Sequence, residues 1–305
     1  MVATSPAAPA PPGVPAPSPG PVRVAQTWLH RTVWARLAAL LALPLTWLVL
    51  IYLVPLALLF VTALWSTDSF TGLVVRELTF ENYRDIFTEP AFLLTVLRTV
   101  VVAATVTVLC ALIALPMGFF MSRVASPRWR PLLLALVLTP LWAAYLVKVY
   151  AWRTILSPSG PAADVLGWFG LSAPGYGLGA VVLVLTYLWL PYMVLPVHTA
   201  LSAMPESLVD AAADLGARPW RTFRDVMLPV IWPALVAGSI FTFSLSLGDY
   251  ITVQLVGGTR QMLGNVVYQN FSVNLPFAAA MATLPVVVMV GYLLAVRRTG
   301  ALENL

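Results

Sequence analysis

The chain has 305 residues, of which 60% are hydrophobic and only 10% are charged, and its formal net charge is +5. A soluble globular protein carries about 25% charged residues, so this composition cannot cover a water-facing surface, and a lipid bilayer must surround most of the chain. The single cysteine, Cys110, excludes a disulfide-stapled secreted protein, and the modest positive charge requires no nucleic-acid partner.

The N-terminal segment predicts a disordered, Pro- and Ala-rich cytoplasmic tail over residues 1–30. Residues 1–21 consist almost entirely of Ala, Pro, Gly, Ser and Val and carry no charge, so we expect an extended, solvated arm there. A cleavable signal peptide is not expected, because no basic segment precedes a compact apolar run. Residues 31–305 are expected to form a single transmembrane domain.

Six stretches are apolar enough to cross the hydrocarbon core as helices, which takes about 20 residues each. The predicted spans are residues 37–64, 93–120, 131–147, 178–197, 232–253 and 277–296. Between the first two lies a polar outer segment, with a short helix expected over residues 81–87. Eleven of the 17 basic residues fall on the inner side if the N-terminus is cytoplasmic, so the positive-inside rule predicts both termini in the cytoplasm. The predicted fold class is therefore an all-α, multi-pass membrane protein.

The loop between the fourth and fifth spans, residues 202–230, carries the most information. Pro205 suits the start of a helix and Gly216 suits the residue just after its end. Within that helix, helical periodicity predicts one apolar stripe and one acidic row. The stripe contains Leu208, Ala211, Ala212 and Leu215, and the row contains Glu206, Asp210 and Asp214. A second short helix is expected from Pro219. Two uses remain open for this hairpin: it binds another protein, or it lies on lipid headgroups.

The spacing within this loop resembles the signature of bacterial ATP-binding-cassette (ABC) importer permeases. The matching residues are Asp210-Ala211-Ala212, Gly216, Val226 and Leu228-Pro229, with Asp in place of the usual Glu. Six spans with this loop before the last two also resemble the type I (MetI-like) permease bundle. The resemblance implies that the first loop helix is a coupling helix, which sits in a cleft on a separate ATPase subunit. The implied coupling residues are Glu206, Leu208, Asp210, Ala211, Ala212, Leu215, Gly216, Leu228 and Pro229.

Two further segments resemble permeases of the spermidine/putrescine group. They are residues 138–152 and residues 247–252, the latter followed by Gly257-Gly258 and residues 263–268. The resemblance covers most of residues 35–298. One departure is that Val253 and Gln254 stand where this group commonly has a proline and an acidic residue, which weakens the case for a polyamine. The implied cargo is a polyamine, or else another small organic or ferric cargo.

The resemblance also implies the partners. They are two copies of an ATPase subunit, a second permease chain that makes the pore a heterodimer, and an external solute-binding protein, all assembled at a bacterial cell membrane. The sequence has no glycine-rich phosphate loop around its one lysine, Lys148, so ATP and Mg²⁺ are expected on the partner and no cofactor on this chain. A different class, a non-transporting membrane scaffold or sensor, stays open, and a membrane enzyme is disfavoured because no polar catalytic set lies within the spans.

Candidate residues for the solute pathway are ionisable or aromatic side chains within the spans. An acidic residue at membrane depth is a functional candidate by default, and Asp249 could attract a cation, cap a helix end, or pair with Lys148. Aromatic faces can hold an ammonium group. The candidates are Asp249, Tyr250, Trp142, Tyr145, Tyr187, Trp189 and Tyr192. The two histidines and one cysteine predict no metal site.

Overall fold

The structure, a computed structural model, describes residues 33–68, 70–171 and 175–298; the tail predicted over residues 1–30 lies outside the described residues. The helices are α1 (Val33–Leu48), α2 (Val54–Thr62), α3 (Glu81–Thr88), α4 (Pro90–Phe119), α5 (Arg130–Trp142), α6 (Tyr145–Ile155), α7 (Pro161–Gly167), α8 (Leu178–Ala203), α9 (Glu206–Asp214), α10 (Pro219–Arg221), α11 (Leu228–Leu247), α12 (Ile251–Val256), α13 (Leu263–Asn270) and α14 (Leu275–Arg297). Three π-helical segments, Val49–Leu53, Phe120–Val124 and Thr222–Met227, join or extend these helices. Strands β1 (Ser66–Thr67) and β2 (Val74–Val75) pair antiparallel, with Ser66 opposite Val75.

Five continuous helices in the described residues are long and apolar enough to cross a membrane. They are Leu40–Thr62, Pro90–Val124, Leu178–Ala203, Pro219–Leu247 and Leu275–Arg297. A sixth crossing is obtained only when α5 and α6 are counted together, since the pair is bent by 95°. The all-α class is thus as the sequence predicts, and the six predicted crossings are reached when the bent pair counts as one span. The short outer helix expected over residues 81–87 is present as α3.

The third span, predicted over residues 131–147, is divided into two helices. It breaks at Ala143 and Ala144, whose ψ angles of 140° and 137° are extended. Pro140 removes a backbone hydrogen bond from the last turn of α5, which favours a bend there. The hydropathy of a segment is the same whether its helix is straight or bent, so hydropathy does not locate the break. Tyr145 consequently becomes the first residue of a new helix.

The fifth span also differs from the prediction over residues 232–253. The short helix expected from Pro219 is not separate, because it continues through the π-helical segment Thr222–Met227 into α11. In a regular α-helix the ring of Pro229 would clash with the carbonyl four residues earlier. The wider turn of the π-helical segment leaves room for this ring. At the other end the helix stops at Leu247, and Asp249 lies in the break before α12 rather than within the span.

The chain divides into two compact units, Met1–Ala57 and Leu58–Leu305. The first, described from Val33, is α1, its π-helical extension and the start of α2. In the second, α4, α8 and α11 pack against one another around the fully buried Val106, Leu188 and Ile231. A smaller cluster joins α3, α13 and α14. In this three-helix core α8 leads directly into α9, and α11 ends at the break that contains Asp249.

Candidate functional site

Helix α9 is a short helix with a defined start and end. Pro205 precedes its first residue, Glu206, and Gly216 follows its end with φ +75°, a left-handed conformation that glycine adopts without strain. The N–H of Ala217 donates to the carbonyl of Ala212 over 3.0 Å, which closes the last turn. The placement of Pro205 and Gly216 is the one that the sequence predicts.

The predicted apolar stripe of α9 divides between two faces. Ala212 is buried against the rest of the chain and Val209 is half-buried. In contrast, Leu208, Ala211 and Leu215 lie on the exposed side, with Leu215 89% exposed. These three apolar side chains form a surface that is exposed among the residues the structure describes, which we call the α9 outer face (Leu208, Ala211, Leu215). A stripe of this kind is typical of a surface that another protein or lipid headgroups cover, because exposed apolar groups at helical spacing gain stability on burial.

The other residues predicted for coupling lie on α9 and at the start of α11. Asp210 and Asp214 are exposed, and Glu206 points its carboxylate towards Arg123, with the Oε1 to Nη1 distance 3.6 Å. Leu228 and Pro229 begin α11, where Leu228 packs against the main core. The signature residues thus connect the exposed helix to a membrane-spanning helix.

The two helix breaks meet at Asp249. Its Oδ1 accepts a 2.9 Å hydrogen bond from the N–H of Thr252, as a helix cap does for α12, and its Oδ2 accepts one from the Thr252 hydroxyl at 3.1 Å. The Tyr145 hydroxyl, at the start of α6, also donates to Oδ2. Of the roles open for Asp249, helix capping is therefore present, and no ion pair joins it to Lys148 among the residues that the structure describes.

Aromatic rings form a row beside Asp249. Ring centroids lie 6.1 Å apart between Tyr145 and Trp189, 6.0 Å between Trp189 and Tyr192, and 6.3 Å between Tyr192 and Phe241. We call these four residues the aromatic row. It brings side chains from α6, α8 and α11 together, and Phe241 is a member that the sequence did not single out.

The remaining aromatic candidates lie outside this row. Tyr187 packs edge-on against Trp152, with centroids 5.3 Å apart, and Tyr250 stacks on Tyr268 of α13 at 5.1 Å. Trp142, the last residue of α5, is 91% exposed. The break after Trp142 separates it from Tyr145, which a continuous helix would have placed on a neighbouring face.

A cavity of about 300 Å³ opens where the aromatic row meets Asp249. Its walls are formed by Tyr145, Trp189, Ser244, Leu245, Gly248, Asp249, Tyr250 and Ile251. Asp249 is the acidic member of this wall and is only 7% exposed. Thr252 and Ser244 were not candidates from the sequence, since isolated hydroxyls in apolar spans give no pattern.

No group of three or more His, Cys, Asp or Glu side chains suited to a metal ion occurs in residues 33–68, 70–171 and 175–298.

Comparisons with known proteins agree on one class. The family described as "Binding-protein-dependent transport system inner membrane component" matches residues 111–299. The chain is 41% identical over 279 residues to "Inner membrane ABC transporter permease protein YdcU" of Escherichia coli K12, covering 86% of this chain and 89% of that protein. It is 33% identical over 248 residues to "Spermidine/putrescine transport system permease protein PotB" of Haemophilus influenzae, covering 79% and 86%. A chain of a bacterial ABC transporter involved in alginate import superposes with a TM-score of 0.68 at 18% identity, covering 91% of this chain and 98% of that one.

Proposed function

The chain belongs to the family of binding-protein-dependent transport system inner membrane components, and from this premise we propose that it forms one half of an importer pore for a polyamine. It is a permease subunit of an ABC importer, a multi-pass and non-catalytic membrane component whose ATPase is a separate subunit. The other half of the proposed pore is a second, different permease chain. Two ATPase copies on the cytoplasmic side and an external solute-binding protein complete the proposed complex.

The α9 outer face is the observation that carries the proposed link to the ATPase. Leu208, Ala211 and Leu215 project from a helix that follows one spanning helix and precedes another, so a partner bound there can move both. Ala211 is small enough to let the helix backbone approach a groove closely. We infer that closure of the ATPase dimer pulls on α9 and that the α8 and α11 spans follow.

We expect Leu215→Asp to reduce co-purification of the ATPase subunit with the permease by at least about tenfold, because burying an unpaired carboxylate costs several kcal/mol. The measurement is the amount of ATPase recovered with tagged permease after co-expression. Leu78→Asp is the matched control, since Leu78 is 78% exposed on the segment between β2 and α3. Equal ATPase recovery with the two variants would contradict docking at the α9 outer face.

The polyamine cargo rests on the relatives and on the chemistry of the cavity. The relative from Haemophilus influenzae is named as a spermidine/putrescine permease. A polyamine is a flexible chain of ammonium groups and methylenes, and aromatic faces hold ammonium groups with about 0.5–2 kcal/mol each, depending on desolvation. Tyr145 and Trp189 of the aromatic row line the cavity together with Asp249, so ring faces and a carboxylate are both available to an ammonium group there. In this proposal Asp249 keeps its capping bonds and acts on the cargo through its charge.

We expect spermidine or putrescine, added with the solute-binding protein, to raise ATP hydrolysis by the complex in lipid nanodiscs severalfold over the binding protein alone. A ferric citrate complex and a neutral sugar serve as the comparison solutes. Stimulation by the ferric complex and not by polyamines would show that the cargo is a ferric complex and would contradict the polyamine proposal. Stimulation by no solute, with the ATPase bound, would instead favour a non-transporting scaffold.

A further inference from the structure

The joint between α8 and α9 is a short extended segment. Met204 (φ −69°, ψ 125°) and Pro205 (φ −58°, ψ 136°) separate the two helices. The hydrogen-bond ladder of α8 ends with the bond from the Met204 N–H to the Ala200 carbonyl, and the next begins with Leu208 N–H donating to Pro205. Extended residues between two helices are where a hinge forms, because few backbone bonds resist rotation there.

Packing holds α9 against the rest of the chain through only part of its surface, since Ala212 and Val209 face inward. An open cavity of about 410 Å³ lies between α9 and the cytoplasmic end of α4. Its walls include Phe119 and Arg123 on one side and Val209, Asp210 and Ala213 on the other. A force on α9 could therefore be absorbed by rotation at the Met204–Pro205 joint and never reach the membrane-spanning helices.

Arg123 crosses this joint from a third element, the π-helical extension of α4. Its Nη2 donates to the carbonyl of Leu201 at 3.0 Å and to that of Met204 at 2.6 Å. The Met204 carbonyl belongs to the peptide unit that joins Met204 to Pro205, so this bond fixes the orientation of the joint itself. Nη1 lies 3.6 Å from the Glu206 carboxylate in the first turn of α9. One guanidinium group thus contacts both sides of the joint.

The burial of Arg123 distinguishes it from an arginine that contacts only lipid headgroups. Its side chain is 16% exposed, and two of its acceptors are carbonyls near the end of α8, where the helix leaves unpaired acceptors and partial negative charge. Arg128, five residues further on, is exposed in comparison. The positive-inside rule accounts for the side of the membrane on which Arg123 lies, but not for these contacts.

We propose that Arg123 is a positioning residue for coupling, which locks the α8–α9 joint so that α9, α8 and the cytoplasmic end of α4 move as one body. The inference rests on the proposed docking of the ATPase at α9. Bonds from a charged donor to carbonyls are stronger than neutral ones, and removing Arg123 also leaves the Met204 carbonyl without its donor. The exposed pair with Glu206 contributes less, because water screens it.

The test measures whether a movement caused by nucleotide trapping in the ATPase reaches the far end of the fifth span. The permease–ATPase complex in nanodiscs is compared with and without ATP and vanadate, which trap the closed ATPase dimer, and amide hydrogen exchange is followed in two regions. The first is the joint and α9, residues 204–214; the second is the break at the far end of the fifth span, residues 247–256. The readout needs no cargo, and it is made for the unaltered chain, Arg123→Ala, Arg123→Lys and the control Arg128→Ala.

In the unaltered chain and in Arg128→Ala, trapping is expected to change exchange at residues 247–256. In Arg123→Ala the ATPase still binds and traps nucleotide, exchange at the joint rises by about tenfold, and the change at residues 247–256 is lost. Arg123→Lys keeps one donor to a carbonyl and is expected to recover part of the change, which also covers the case in which the alanine variant fails to fold. If Arg123→Ala transmits the full change, the inference is overturned. If the unaltered chain binds no ATPase, the proposed function fails instead.

Discussion

Asp249→Ala is expected to lower the apparent Tm of the purified permease by at least about 5 °C and to abolish uptake. The substitution leaves the Thr252 N–H without its acceptor inside the protein, and the Tyr145 hydroxyl keeps only the Thr252 hydroxyl as a partner. An unsatisfied buried group costs about 1–3 kcal/mol, and one of the two hydrogen bonds that join Tyr145 to the second break is lost. Thermal unfolding followed by fluorescence measures the first effect and radiolabelled spermidine uptake into proteoliposomes the second.

Asp249→Asn separates the capping role of this residue from its charge. An asparagine oxygen can still accept from the Thr252 N–H, and its amide can donate to the Tyr145 and Thr252 hydroxyls, so we expect an apparent Tm close to that of the unaltered chain. Uptake of a polyamine is nevertheless expected to fall by about tenfold, because the cavity wall loses its negative charge. Asp164→Asn, which removes a charge from α7, is the control. Full polyamine uptake by Asp249→Asn would leave Asp249 with the capping role alone.

Gly238→Leu is expected to prevent accumulation of folded permease in the membrane. Gly238 lies where α11 crosses α8, and a Cβ added there would stand 2.6 Å from the Sδ atom and 3.0 Å from the Cα atom of Met193. The Cα atom belongs to the backbone of a packed helix and cannot move aside without separating the two spans. The measurement is the yield of monodisperse protein by size-exclusion chromatography.

Two further variants bracket this prediction. Gly238→Ala adds only the Cβ and is expected to lose about 1–3 kcal/mol of stability, which gives a reduced yield. Gly291→Leu in α14 should express normally, since nothing lies within 4 Å of the position of its Cβ. Equal yields of Gly238→Leu and Gly291→Leu would show that α8 and α11 do not pack as closely as the structure has them.

Several features followed from the amino-acid sequence because local or linear properties control them. A helix needs about 20 apolar residues to cross the hydrocarbon core in any topology, so the sequence alone identified a membrane protein. The start of α9 after Pro205 and its end before Gly216 depend on backbone chemistry within a few residues. The spacing from Asp210 to Pro229 pointed to the family that the comparisons then showed.

Other features depend on contacts between residues far apart in the chain, and only the tertiary structure decided them. The bend of 95° in the third span and the break around Asp249 meet through a hydrogen bond between residues 104 positions apart. Helix packing likewise decides that Ala212 of α9 faces the rest of the chain. It also decides that Arg123 contacts the carbonyls of Leu201 and Met204. Apolar periodicity in a membrane protein cannot supply this information, because lipid-facing and buried positions are nearly equally hydrophobic.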